Sequence, residues 1–319
     1  MTKHSKVSAL GKLFDHVASG VGSIAGPMLA TWRAKKEVEA NLVKAEGDSA
    51  VLDIRVNAQA KASKSLNSEI PGNLDISHKI QKRTQYQEQK RQQNIESIVM
   101  QAADYLGDQI VKNHDTDHDW TARFFSEVQD VSNEKMQVLW AKVLAGEVKQ
   151  TGLTSAKTLG VIKNLNQEIA MHFSNLCSAC VYIRDDEKTI DARVPTLGDD
   201  PGSNCLQQYG LNFHVLNILN EHGLIISDYN SWRDYRYAIG VFNNKAQVIR
   251  LPFEFQNRNW VLIHDDENEL NKEFRLLGVA MTESGKELSQ FVEIEPMVEY
   301  SQDLKRFFLT NKLKMTEVD

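Results

Sequence analysis

Six consecutive residues, His114-Asp115-Thr116-Asp117-His118-Asp119, form the densest cluster of potential metal ligands in the chain. His114 and His118 stand four apart, a spacing that sets two imidazoles on one helix face, and Asp117 would add a carboxylate oxygen. The run is polar throughout and immediately precedes Trp120, so it reads as a loop ending in an Asp119 N-cap, with no bound metal expected. Cys177-Ser178-Ala179-Cys180 has the spacing of a redox pair or a zinc half-site. The remaining cysteine, Cys205, has no adjacent histidine, so a four-ligand zinc site would have to recruit a distant imidazole. Burial on an apolar helix beside Phe173 and Leu176 accounts for the pair more simply.

Phosphate chemistry has two candidate sets. Lys79, Lys82, Arg83, Lys90 and Arg91 stand among glutamines between His78 and Asn94, with Ile80 and Tyr86 as the apolar residues. The cations could hold a phosphate backbone and Tyr86 could stack on a base, although a solvated helix face has the same composition. Arg233, Arg236 and Lys245 form the second set. The sequence carries no GxxxxGK[ST] phosphate loop, no GxGxxG and no GxSxG nucleophile elbow. Acidic pairs at Asp185-Asp186, Asp199-Asp200 and Asp265-Asp266 fall in loops. No cofactor is expected, and nothing here supports an enzyme.

The elements that must position these residues follow from periodicity. At 319 residues the chain has room for two domains, and 41% hydrophobic with 25% charged residues is ordinary for a packed core. A net charge of −6 argues against wholesale nucleic-acid binding but leaves a local basic patch open. Three cysteines are too few for a disulfide framework and suit a reducing, cytoplasmic setting. No secretory signal is visible. The uncharged run from Val17 to Trp32 is interrupted by Gly20, Gly22, Gly26 and Pro27, and is too short for a membrane span.

Residues 1–33 read as an amphipathic segment, with Leu10, Leu13, Phe14 and Val17 at helical spacing and Trp32 at its end. It could lie on a membrane surface or pack on its own protein or a second copy. Residues 34–93 read as extended helical arms, broken by a turn at Pro71-Gly72-Asn73. Residues 94–185 read as a helical domain, opened by a stripe through Ile95, Ile98, Val99, Ala102, Ala103, Leu106 and Ile110. Within it Ser132 is the expected N-cap of a helix from Met136 to Val148, and Thr158 to Val181 the last helix. In residues 205–295 a helix from Leu211 to Glu221 runs through Gly223 towards a strand. Strands follow at 235–242, 246–251 and 260–264, with Asn243-Asn244 as a hairpin turn. A strand ending near Met281 then opens a helix capped by Thr282 or Ser284. Residues 296–319 read as a tail helix. The fold class is therefore mainly α with a C-terminal α+β part.

Between Asp119 and Leu159 the wording becomes specific: Asp119-Trp120, the turn Val131-Ser132-Asn133-Glu134, then Met136-Gln137 and Leu139-Trp140-Ala141-Lys142 running to Gly146-Glu147, and Thr158-Leu159. This resembles the bacterial domain of unknown function 2806 family, over roughly Lys35 to Leu288. The order of helix, His222-Gly223-Leu224-Ile225, strands and Thr282-Glu283-Ser284-Gly285 resembles the winged-helix arrangement of bacterial regulators, with an enlarged wing and Met281 where leucine is usual. The layout of an amphipathic N-terminus and a C-terminal "threonine-x-x-glycine" module is more distantly similar to abortive-infection alpha proteins.

These resemblances imply a non-enzymatic interaction protein, a sensor or adaptor in anti-phage defence that self-associates through its N-terminal helices and takes a protein partner. A DNA-binding winged-helix regulator is the first alternative, although the Leu211–Glu221 helix carries no Lys or Arg for groove reading. A peripheral effector that perturbs membranes through residues 8–32 is the second.

Overall fold

The computed structural model describes residues 6–22, 30, 32, 34, 36–37, 75–185, 188–198, 204–226, 228–229, 231–242, 247–248, 251–266 and 272–318. The chain divides into two compact units, Met1–Thr151 and Gly152–Asp319. The first is helical and the second combines helices with a large sheet, so the class is mainly α with a C-terminal α+β part. Most of the arms expected over 34–93, up to residue 74, lie outside the described residues.

The first unit holds α1 (Ala9–Val21), α2 (Ile76–Leu106), α3 (His118–Val128) and α4 (Glu134–Lys149). A short antiparallel ladder joins β1 (Lys6–Ser8) to β2 (Ile110–Lys112). The stripe on α2 is buried from Asn94 to Leu106 and packs on α4, whose Met136, Trp140, Val143 and Leu144 are buried at helical spacing. Aromatic rings fill the centre: Trp120 stacks on Phe124 at 5.1 Å, and Phe124 meets Trp140 edge-on at 5.5 Å. Burial of each such side chain contributes about 1.5–3 kcal/mol. The α2 stripe stops earlier than its periodicity suggests, because Gly107 ends the helix at a positive φ and Ile110 stands exposed in β2.

Two caps differ from expectation by one or two residues. Asp117, not Asp119, caps α3 by accepting from the Trp120 N–H at 3.0 Å, which leaves Asp119 in the first turn. Asn133, not Ser132, caps α4 by accepting from the Met136 N–H at 3.1 Å. Ser132 instead accepts from Asn94, whose amide also donates to the Gln129 carbonyl at 2.8 Å. Gly20, which breaks the apolar run in sequence, lets α1 approach α3. A Cβ there would lie 2.1 Å from the Phe125 ring.

The second unit begins with α5 (Ala156–Lys163) and α6 (Gln167–Ala179), two helices where a single one is expected. Asn166 starts the second by accepting from the Ile169 N–H at 2.9 Å. Strands β3 (Val181–Asp185) and β4 (Lys188–Pro195) then occupy residues whose strand character the periodicity does not reveal, and α7 (Phe213–Glu221) follows. The remaining strands are β5 (Ser231–Asp234), β6 (Ile239–Phe242), β7 (Gln247–Val248), β8 (Phe253–Phe255), β9 (Arg258–His264) and β10 (Arg275–Ala280). The strand expected over 235–242 is a 3-10 turn at Arg236–Ala238 followed by β6. Next come α8 (Glu283–Ser289), α9 (Val298–Thr310) and β11 (Lys314–Val318). The tail is thus helical only to Thr310. The alternating residues after it extend as a strand.

The sheet runs β5-β10-β4-β3-β8-β9-β6-β7, antiparallel except for β6 beside β9, with β11 on β9 as well. Asn243 and Asn244 lie outside the described residues, but the flanking β6 and β7 pair antiparallel, Val241 facing Val248. The tight turn between β8 and β9 is made by Gln256 and Asn257, both at positive φ, the geometry of a two-residue hairpin of primed type. The Gln256 side chain is anchored on the Ser178 carbonyl and on Ser301.

The Thr282-x-x-Gly285 motif has a local structural meaning. Thr282 caps α8 by accepting from the Gly285 N–H at 3.0 Å while its hydroxyl donates to the Gly223 carbonyl at 2.6 Å. Gly285 packs so close that a Cβ would lie 2.1 Å from the Leu224 carbonyl oxygen. The end of α7 and the start of α8 are therefore clamped together by hydroxyl, carbonyl and a missing side chain.

Candidate functional site

The N-terminal half of α2 is the least explained part of the first unit. From Ile76 to Lys90 every residue is exposed, yet the segment is continuously helical and opens with an Asp75 cap to the Ile76 N–H at 2.8 Å. At about 100° per residue, Lys79, Lys82, Arg83, Tyr86 and Lys90 all fall within about 100° of one another. They form one cationic face around an aromatic ring that is 44% exposed, and the Lys90 ammonium lies 5.7 Å from the Tyr86 ring centre. This face is turned away from the side that Ile95, Ile98, Val99 and Ala102 bury farther along.

Arg91 is different. Its guanidinium bonds Asp130 at 2.9 Å and Glu88 at 2.9 Å, tying α2 to the end of α3. Lys79, Lys82, Arg83 and Lys90 make no ion pair among the described residues. Ile76 and Ile80 border this face beyond Arg83, between it and the core stripe, and are 71% and 50% exposed. Each lies about five turns before a buried residue, Asn94 and Ile98 respectively, so the two continue the core stripe into solvent.

The other sequence candidates are engaged elsewhere. Arg233 donates to the Ile190 carbonyl at 3.3 Å and lies 3.9 Å from Asp191, and Arg236 pairs with Asp234. Lys245 lies outside the described residues. Leu13, Phe14 and Val17 are buried in the first unit, Leu10 is half-buried, and the buried Trp32 donates to Asp104 at 3.1 Å. Of the histidine-aspartate cluster, Asp117 serves as the cap, His118 bonds Ser19, and His114 stands in the loop before α3. Among the described residues no group of three histidines, cysteines or acids is placed to hold a metal. Cys177 and Cys180 are buried, and burial pushes the Cys177 thiol up to about 12 and the Cys180 thiol well above its ordinary value, which keeps both protonated.

Two buried polar clusters escape a reading of the sequence. In the first unit the fully buried His16 bonds the Thr121 hydroxyl at 3.2 Å, while its Nε2 has no partner and the Trp120 ring meets it edge-on. Burial, then the nearby Lys12 and His118, lower its pKa to about 4. In the second unit Arg193 grips Asp191 with two bonds of 2.6 and 3.0 Å, donates to the Ser231 and Leu276 carbonyls, and leaves Asp191 accepting from Tyr235 at 2.9 Å. The signal was present as Asp191-Ala192-Arg193, two opposite charges two residues apart, which a strand sets on one face. Both clusters are closed off from solvent, and the Arg193–Asp191–Tyr235 cluster satisfies its own charges. A groove of about 340 Å³ in the second unit is lined by Tyr182, Arg184, Glu254 and Ser289 among others, and its own Arg184–Glu254 ion pair at 2.9 Å occupies its charges.

The exposed face of α2 thus remains the one surface with chemistry to offer among the sequence candidates. Residues 78–305 match the family model described as "Protein of unknown function (DUF2806)", a span that takes in this face and most of the second unit. No curated protein and no solved structure matches.

Proposed function

We propose that this chain, which belongs to the "Protein of unknown function (DUF2806)" family, is a non-enzymatic interaction protein that self-associates through its N-terminal helical arm. The observation that carries the reading is the regular helix from Ile76 to Lys90, exposed throughout, with Ile76 and Ile80 bare in the phase of the core stripe. Extending a helix already nucleated by its packed half costs little, but exposed isoleucines on it gain nothing until a second surface covers them. A second copy of the chain presents the same stripe and suits an isologous contact.

The second unit is proposed as a winged-helix-like module used for protein contact. In support, α7, the Thr282–Gly223 clamp and α8 follow the order of such modules, and α7 contains no Lys or Arg. The setting proposed, on layout alone, is a sensor or adaptor in anti-phage defence. The membrane-perturbing alternative is less well supported, since Leu13, Phe14 and Val17 are core residues and no helix of the described residues is long and apolar enough to cross a membrane.

Light scattering on the full chain tests the reading. The expected mass is a multiple of 36.2 kDa at micromolar concentration, returning to the single-chain value on Ile76→Asp with Ile80→Asp. A parent protein that stays monomeric at high concentration would falsify self-association through this helix.

A further inference from the structure

We infer that the cationic face of α2, formed by Lys79, Lys82, Arg83 and Lys90 around Tyr86, binds the phosphodiester backbone of a nucleic acid. The inference rests on α2 as a contact arm but not on its self-association, which uses the Ile76 and Ile80 side.

Three observations carry it. The first is placement against helix energetics. Lys79 stands just past the first turn of α2, whose positive end is met by the Asp75 cap and not by a cation, and Lys82 and Arg83 lie about two turns in. The dipole therefore favours none of the three cations. The second is that no carboxylate among the described residues neutralises them, although Lys90 lies over the Tyr86 ring. The acid within the exposed segment, Glu88, is taken by Arg91, and none of the four cations makes an ion pair among the described residues. Four concentrated positive charges on a chain of net charge −6 form a local field opposite to that of the whole molecule. The third is the make-up of the face. Its single exposed ring, Tyr86, has lysines and an arginine for nearest neighbours, with the aliphatic Ile76 and Ile80 only beyond the Arg83 edge, which suits base stacking more than insertion into lipid.

Dimensions agree. From Lys79 to Lys90 the helix rises about 16 Å, enough to pass about five phosphates of one strand at the duplex spacing. Cations at each end and two near the middle can follow such a backbone without reading its sequence, and sequence-independent binding is the expected behaviour.

Fluorescence anisotropy with the full chain tests this, using a labelled single-stranded oligonucleotide, the same sequence as a duplex, and vesicles containing phosphatidylserine as a third arm. Binding to one or both oligonucleotides is expected, with a log–log salt slope of about −2.8 for the single strand or about −3.6 for the duplex if all four cations are engaged. Replacing Lys79, Lys82, Arg83 and Lys90 by Gln keeps good helix formers in place, and should cost at least roughly a hundredfold in affinity at about 50 mM salt. Circular dichroism of this variant should match the parent. Tyr86→Ala should weaken the single strand more than the duplex. No binding to either oligonucleotide, binding indifferent to the four substitutions, or binding confined to vesicles overturns the inference. The uncharged pair Ile76→Gln with Ile80→Gln, which places no carboxylate beside Lys79 or Arg83, should abolish self-association and leave oligonucleotide affinity per chain unchanged, so the two losses are read separately.

Discussion

A neutral imidazole sealed beside Thr121 makes the first unit sensitive to acid. His16 has a pKa of about 4 in the folded chain against 6.5 for an exposed histidine, so the unfolded state binds more protons between those values. The stability due to this group is fully present above about pH 6.5 and is lost as pH falls towards 4. The loss should reach roughly 3 kcal/mol, read from urea midpoints followed by tryptophan fluorescence, and His16→Leu should flatten that part of the profile. An unchanged slope in His16→Leu would show that other groups dominate. Glycines offer a contrast at the same scale. Gly285→Ala drives a Cβ against the Leu224 carbonyl and should destabilise the second unit by roughly 3 kcal/mol. Gly160→Ala, in α5 with nothing within 4 Å of its would-be Cβ, should stabilise by roughly 0.5–1 kcal/mol. Equal thermal shifts for the two variants would contradict the clamp.

At the scale of elements, α2 is two helices in energetic terms, a packed half after Asn94 and a bare half before it. Gln85→Pro should therefore remove helical signal in circular dichroism while the thermal midpoint moves by no more than a few degrees. A large drop in midpoint would mean that the bare half supports the core. The division was legible in the sequence, because Ile95, Ile98, Val99 and Ala102 recover a stripe just where the Gln- and Lys-rich tract ends. The cationic face was legible as composition, and its orientation became clear only once the packed half fixed the helix phase. Caps were off by one or two residues because Asp117, Asp119, Ser132 and Asn133 are all competent acceptors, and tertiary contacts choose among them. Strands β3 and β4 were missed because both lie inside the sheet, between β10 and β8. There charge is hidden as the Asp191–Arg193 pair, and the alternation expected of a half-exposed strand is lost.

For the whole molecule, association and stability are linked. If chains pair through Ile76 and Ile80, the thermal midpoint should rise with protein concentration, and Ile76→Asp with Ile80→Asp should remove that dependence. A midpoint independent of concentration in the parent would count against pairing. If the cations of α2 hold a polyanion, raising the salt should release it without loosening the aliphatic contact. Finally, β11 has a temporal consequence. Strand β9 leaves the ribosome well before Lys314–Val318, the strand that covers its other edge. Until then a nascent chain carries Trp260, Val261 and Leu262 on an unclosed border, and the interval between their synthesis and that of the final strand is when a molecular chaperone has the most to protect.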